Sequence, residues 1–150
     1  MNKLRKAVYA RANDATVNAL AGGGLHYQAG PAPNPDDPQG HYPYIVFEFV
    51  GPSRPDFAAK SDVPAVEKFL LRFHCYAVDS PEGFSGAERG EAMAEAVVER
   101  FKGDDGRRLQ LGDGRVAEMI YGGQFPLPVD GPGYTISHQV VEFKAEVLRQ

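Results

Sequence analysis

The chain has 150 residues, one ordinary domain's length, and a chain of that size buries about 68 to 70% of its extended surface on folding, enough for a core without disulfides or a structural metal. Its 43% hydrophobic content agrees, and 16 Lys plus Arg against 20 Asp plus Glu leave a net charge of −4, which argues against a general nucleic-acid binder held by phosphate neutralisation and leaves room for a local basic patch. The single cysteine, Cys75, excludes an internal disulfide framework and a Cys-rich zinc module, with a mild preference for a reducing cytosol.

In chain order, Lys3 to about Ala12 places Leu4, Ala7, Val8 and the stem of Arg11 at i, i+3, i+4, i+7, the spacing of an amphipathic helix. Asn13 and Asp14 offer side-chain oxygens to cap a following short turn with Val17 and Leu20 apolar, and Gly22, Gly23 and Gly24 end the helical region. A short strand is expected around Leu25 to Gln28. In AGPAPNPDDPQGHYP four prolines within eight residues remove backbone donors and fix φ, so this stretch is an extended loop. Tyr44 to Val50 is β-branched and aromatic apart from Glu48, which predicts a strand with that charge turned to solvent or a partner.

Glu67 to Val78 alternates cleanly: Phe69, Leu71, Phe73, Cys75 and Ala77 share one face, and Lys68, Leu70, Arg72, His74 and Tyr76 the other. Ser85 and Glu88 have the spacing of a helix-capping pair, and a helix is expected over Ala87 to Lys102, with Met93, Ala94, Val97, Val98 and Phe101 inward and Gly103 as its stop. Arg108 to Leu111 and Val116 to Tyr121 read as strands joined at Asp113-Gly114, a hairpin signal. Tyr134 to Leu148 ends the pattern, with Val141, Phe143, Ala145 and Val147 alternating against Glu142, Lys144 and Glu146. Of the 17 glycines and 12 prolines, thirteen residues fall in 22–55 and seven in 122–133, which reads as two long loops or arms on a compact body.

These elements predict a single α+β domain over 1–150, a mostly antiparallel sheet with two helices on one face and long Gly/Pro-rich loops. The other sheet face, carrying Lys68, Arg72, His74, Tyr76, Glu142, Lys144 and Glu146, is polar with aromatics between the charges and suits a protein partner.

Motifs for chemistry are weak. Gly83-Phe84-Ser85-Gly86 fails the nucleophile-elbow pattern because residue 87 is Ala, and capping accounts for Ser85. His26, His41, His74 and His138 lack metal-ligand spacing. The runs 103–106 and 112–114 lack the calcium-loop order and read as two β-turns. Gly22-Gly23-Gly24 lacks the residues of a phosphate loop, and Lys3, Arg5, Lys6 and Arg11 read as a solvated helix face. No stretch approaches ~18 uninterrupted apolar residues, and the N-terminal segment carries charge in every turn, so neither a membrane span nor a secretory signal is expected. We therefore expect no enzyme, no cofactor and no metal. An assembly subunit fits best, since long arms become useful when ordered against neighbours and free strand edges invite closure into a ring. A small ligand-binding or hydrolytic domain, which predicts a deep polar pocket, and a monomeric adaptor remain as other readings.

Taken in order, LRKAVYARANDATVNALAGGG, the proline-rich loop, PYIVFEFV, EKFLLRFHCYAV, GAERGEAMAEAVVERF and ISHQVVEFKAEV resemble the tail-terminator or tail-completion proteins of long-tailed bacteriophages and related phage-like particles, over nearly the whole chain. The resemblance implies a virion protein of the tail or neck, assembled in the host cytoplasm. Its implied form is a ring, expected as a hexamer, that caps the tail tube protein, ends tube growth sterically and docks to the head-tail connector or stopper. DNA would pass through the lumen without specific binding. A neck or head-completion protein is the neighbouring reading. The subunit or partner contacts expected on this basis are Arg54, Asp56 and Phe57 in the 54–65 loop, and Arg72, His74, Tyr76, Glu142 and Lys144 on the sheet.

Overall fold

A computed structural model describes residues 2–31, 40–52, 66–80, 82–83, 85–127, 129 and 134–148. The elements are α1 (Asn2–Ala12), α2 (Ala15–Leu20), β1 (Leu25–Tyr27), β2 (Tyr44–Pro52), β3 (Val66–Val78), α3 (Gly86–Arg100), α4 (Gly103–Arg107), β4 (Arg108–Gln110), β5 (Val116–Pro126) and β6 (Ile136–Leu148). The strands form one six-stranded sheet in the order β1-β2-β3-β6-β5-β4. Every neighbouring pair is antiparallel except β1 and β2, which are parallel. The expected α+β architecture is the observed one.

The two longest strands, β3 and β6, pair through their full length, from Val66 opposite Leu148 to Val78 opposite Ile136. Their alternation therefore stays in phase and sorts side chains onto two faces. On one face Leu71, Phe73, Cys75, Val141, Phe143 and Ala145 are buried beneath α3, whose Met93, Ala94, Val97 and Val98 supply the facing stripe. Phe73 stacks on Phe47 at 5.7 Å between ring centroids and meets Phe143 edge-on at 6.0 Å. Leu4, Val8 and Ala12 of α1 and Val17 of α2 close this layer. Arg100 fastens α3 to α1, donating from Nε to the Arg11 carbonyl at 2.9 Å and lying 3.4 Å from the Asp14 carboxylate.

The expected caps form: Asp14 accepts from the Val17 amide at 3.0 Å and Ser85 from the Glu88 amide at 3.5 Å. Gly112-Asp113-Gly114 lies in the β4–β5 turn, where the Leu111 amide donates to the Arg115 carbonyl at 3.1 Å.

Three expectations change. The run 103–106 is not a β-turn but opens α4, where Asp104 and Asp105 sit in the first turn and Arg107 in the last, the charge order a helix dipole favours. Gly106 suits the tight approach, since a Cβ there would lie 3.1 Å from the Arg100 carbonyl oxygen. The helix expected over Ala87 to Lys102 runs instead from Gly86 to Arg100, because Asp79 accepts from the Gly86 amide at 2.7 Å and seats the first turn one residue earlier. Finally, the stretch beginning at 122 is not all loop: β5 continues to Pro126 across a register shift between Tyr121 and Gly123. Gly123 has φ +147, and a Cβ on Gly122 would press to 3.1 Å from the Glu142 carbonyl oxygen, so two glycines permit the bulge. Most of the proline-rich loop lies outside the described residues.

Candidate functional site

The sheet face that no helix covers among the described residues, the helix-free face, gathers the residues expected on the sheet. Strict alternation places Arg72, His74 and Tyr76 of β3 on it, and Glu142 and Lys144 of β6 beside them. Arg72 stands directly opposite Glu142 in register, and its Nε donates to Glu142 Oε2 at 2.8 Å. The same guanidinium lies 6.0 Å from the Phe125 ring centroid, so the cation is held between a carboxylate and an aromatic face. Lys144 pairs along its own strand with Glu146, 3.2 Å away.

Beside this belt runs a polar chain. His74 Nε2 is 2.8 Å from Glu48 Oε1, and His74 Nδ1 is 2.8 Å from His138 Nε2. With Glu48 ionised, the consistent assignment is His138 Nε2–H donating to His74 Nδ1, and His74 Nε2–H donating to Glu48. His138 is only 6% exposed, and its Nδ1 has no hydrogen-bond partner among the described residues. Burial first, and the neighbouring His74 second, push its pKa down from 6.5 to about 4. It is therefore a neutral ring at neutral pH.

An aromatic band crosses the sheet beyond the histidines. Tyr76 stacks on His138 at 4.4 Å and packs at a tilt against Tyr44 at 5.0 Å, while Tyr42 continues the row from Tyr44 at 5.2 Å and meets Tyr134 edge-on at 6.2 Å. Burial raises the pKa of Tyr42, Tyr44 and Tyr76, so all three phenols stay protonated hydrogen-bond donors. Val46 and Val140 are buried among these rings, a small second apolar layer opposite the main core.

An open groove of 340 Å³ lies between Lys68, Leu70, Gly122, Glu142 and Lys144. Two of its charged groups are engaged with neighbours of their own sheet, Glu142 with Arg72 and Lys144 with Glu146. Among the described residues no group of three or more His, Cys, Asp and Glu converges as a metal site, and no helix is long and apolar enough to cross a membrane. Cys75 is fully buried and its thiol is pushed up to about 12 by burial, which removes it as a nucleophile.

The structure thus brings together Arg72, His74, Tyr76, Glu142 and Lys144. Arg54, Asp56 and Phe57 lie outside the described residues. Sequence reasoning passed over His138, Tyr44, Tyr42 and Tyr134 as partners of this face. For His138 the signal was present: extending the alternation of Glu142 back by four residues puts it on the same face.

No protein-family model and no curated protein sequence matches the chain. Among solved structures it is similar to a chain in the virion of a native gene transfer agent particle. The match has a TM-score of 0.61 and 23% identity, and covers 97% of this chain and 94% of that one. At that identity the likeness is one of fold, and it runs nearly end to end.

Proposed function

We propose that this chain is a structural protein of a phage-like particle and serves as its tail terminator. In this reading copies join in a ring, expected as a hexamer, that seats on the last layer of the tail tube protein. The exposed side of the ring denies the next tube subunit its site and meets the head-tail connector, so termination is steric and needs no reaction. The observation that carries the reading is the shared fold over 97% of the chain with a component of a gene transfer agent virion. The helix-free face supports it. Four of its charges pair within the sheet, Arg72 with Glu142 and Lys144 with Glu146, and its aromatics form a continuous row, features of a contact surface rather than of a reacting centre.

Two measurements test the reading. Light scattering across protein concentration and salt is expected to find a species near six times the chain mass, with rings visible by negative-stain microscopy. Deleting the gene in the producing strain is expected to yield over-length tails. Tails of normal length that fail to join heads would instead assign the chain to the neck, and a monomer that added tail tubes do not capture would overturn the assembly reading.

A further inference from the structure

We propose that copies of this chain join through strand edges: the outer edge of β2 over Glu48–Gly51 pairs antiparallel with the outer edge of β5 over Gly122–Phe125 of the next copy. This rests on the ring reading above and specifies how the ring closes. β4 covers the outer edge of β5 only from Val116 to Glu118, and β1 covers that of β2 only from Ile45 to Phe47. Beyond those points, among the described residues, no strand pairs with either edge. Both open lengths are poor in charge: Met119–Pro126 reads MIYGGQFP, and Glu48 is the only charged residue in EFVGP. Edges left unpaired in a monomer are usually guarded by charge. Here Ile120 and Tyr121 stand 40% and 51% exposed instead.

Strand direction favours a second copy as the occupant. Three antiparallel steps, β2 to β3, β3 to β6 and β6 to β5, separate the two edges, so β2 and β5 run in opposite directions. Copies set side by side in the same orientation then meet in antiparallel register, with the helix-covered faces on one side. Such a head-to-tail contact is heterologous, and it closes into a ring when the rotation from copy to copy divides a full turn.

The short flanking strands decide the stagger. Across the sheet, Glu48 lies level with Arg72, Glu142 and Gly123. An unshifted neighbour would therefore drive its β1 into the end of β5. Sliding the neighbour by two residues carries its β1 past Phe125 and keeps its β2 clear of β4, and a stagger of this kind is what closing a sheet into a barrel requires. Face parity is then kept with Glu48 opposite Phe125 on the helix-free face and Phe49 opposite Gln124 on the other.

The test is a Glu48→Cys/Phe125→Cys double variant under mild oxidation; Cys75 is fully buried and stays out of the reaction. A ladder of covalent multimers up to the ring is expected on a non-reducing gel, with each single variant remaining a monomer. A ring-sized native mass without a ladder would overturn edge pairing and leave the ring reading standing. Dimers from Phe125→Cys alone would show β5 pairing with its own counterpart and overturn it too, and a monomer at every concentration that added tail tubes do not capture would overturn both. Should the double variant fail to fold, amide exchange of the unaltered protein decides: the Phe49 and Gln124 amides point outward by the alternation of ladder bonds and are expected to slow about tenfold or more on assembly. Unchanged rates in the assembled protein would overturn the pairing.

Discussion

His138 shows how one side chain couples the helix-free face to pH. Its folded pKa of about 4 lies below the unfolded value near 6.5, so between these values the unfolded chain binds a proton that the folded chain refuses. Stability is then full above pH 6.5 and lost progressively as pH falls toward 4, by about 3 kcal/mol in all. Urea denaturation at several pH values is expected to show this slope, and His138→Gln to lack that share of it. The Arg72–Glu142 pair is a second residue-scale test. With side chains 33% and 26% exposed, solvent screens the pair, so a double-mutant cycle to alanine is expected to return a coupling of only about 0.5 to 1 kcal/mol. Which residues share this face was legible from alternation in the two long strands. Which of them touch was not: Glu48, His74 and His138 meet only through a register set between strands far apart in sequence.

At the scale of elements, the sequence signals worked where a segment carried its own periodicity. The stripe of α3 and its Ser85 cap are local facts, and Ser85→Ala is expected to cost about 0.5 to 2 kcal/mol in thermal melts, without changing the assembly state. A larger functional loss at unchanged stability would instead point to chemistry at that hydroxyl. Short or glycine-interrupted elements were not legible. The α4 segment GDDGR offers no apolar stripe and no buried residue, so its turn is set by the close approach of Gly106 to the end of α3. Gly122 and Gly123 look like loop residues, yet β6 continues past them and offers ladder partners as far as Gln139, so the neighbouring strand overrides the local tendency of glycine to leave a strand.

For the whole molecule, the proposed edge contact has a consequence for assembly in salt. The lengths that would pair carry a single charge, Glu48, and are joined by backbone hydrogen bonds and apolar contact, which salt screens little. Native mass is therefore expected to stay constant as ionic strength rises. A ring that falls apart in high salt would place the contact on charged surfaces such as α1 or the helix-free face. The likeness to a gene transfer agent virion chain covers both the helical layer and the sheet, so the shared feature is the arrangement of layers and not one motif.

By itself the sequence determined the α+β class, the inward residues of β3, β6 and α3, and the polar-aromatic character of the opposite face, because hydrophobic period and capping chemistry act within a few residues of one another. Only the tertiary structure decided the strand order β1-β2-β3-β6-β5-β4, the histidine chain and the two open edges. Each of these depends on which strands lie side by side and in what register, and that choice is made by burial of the phenylalanine core across the whole sheet, beyond the reach of any local pattern.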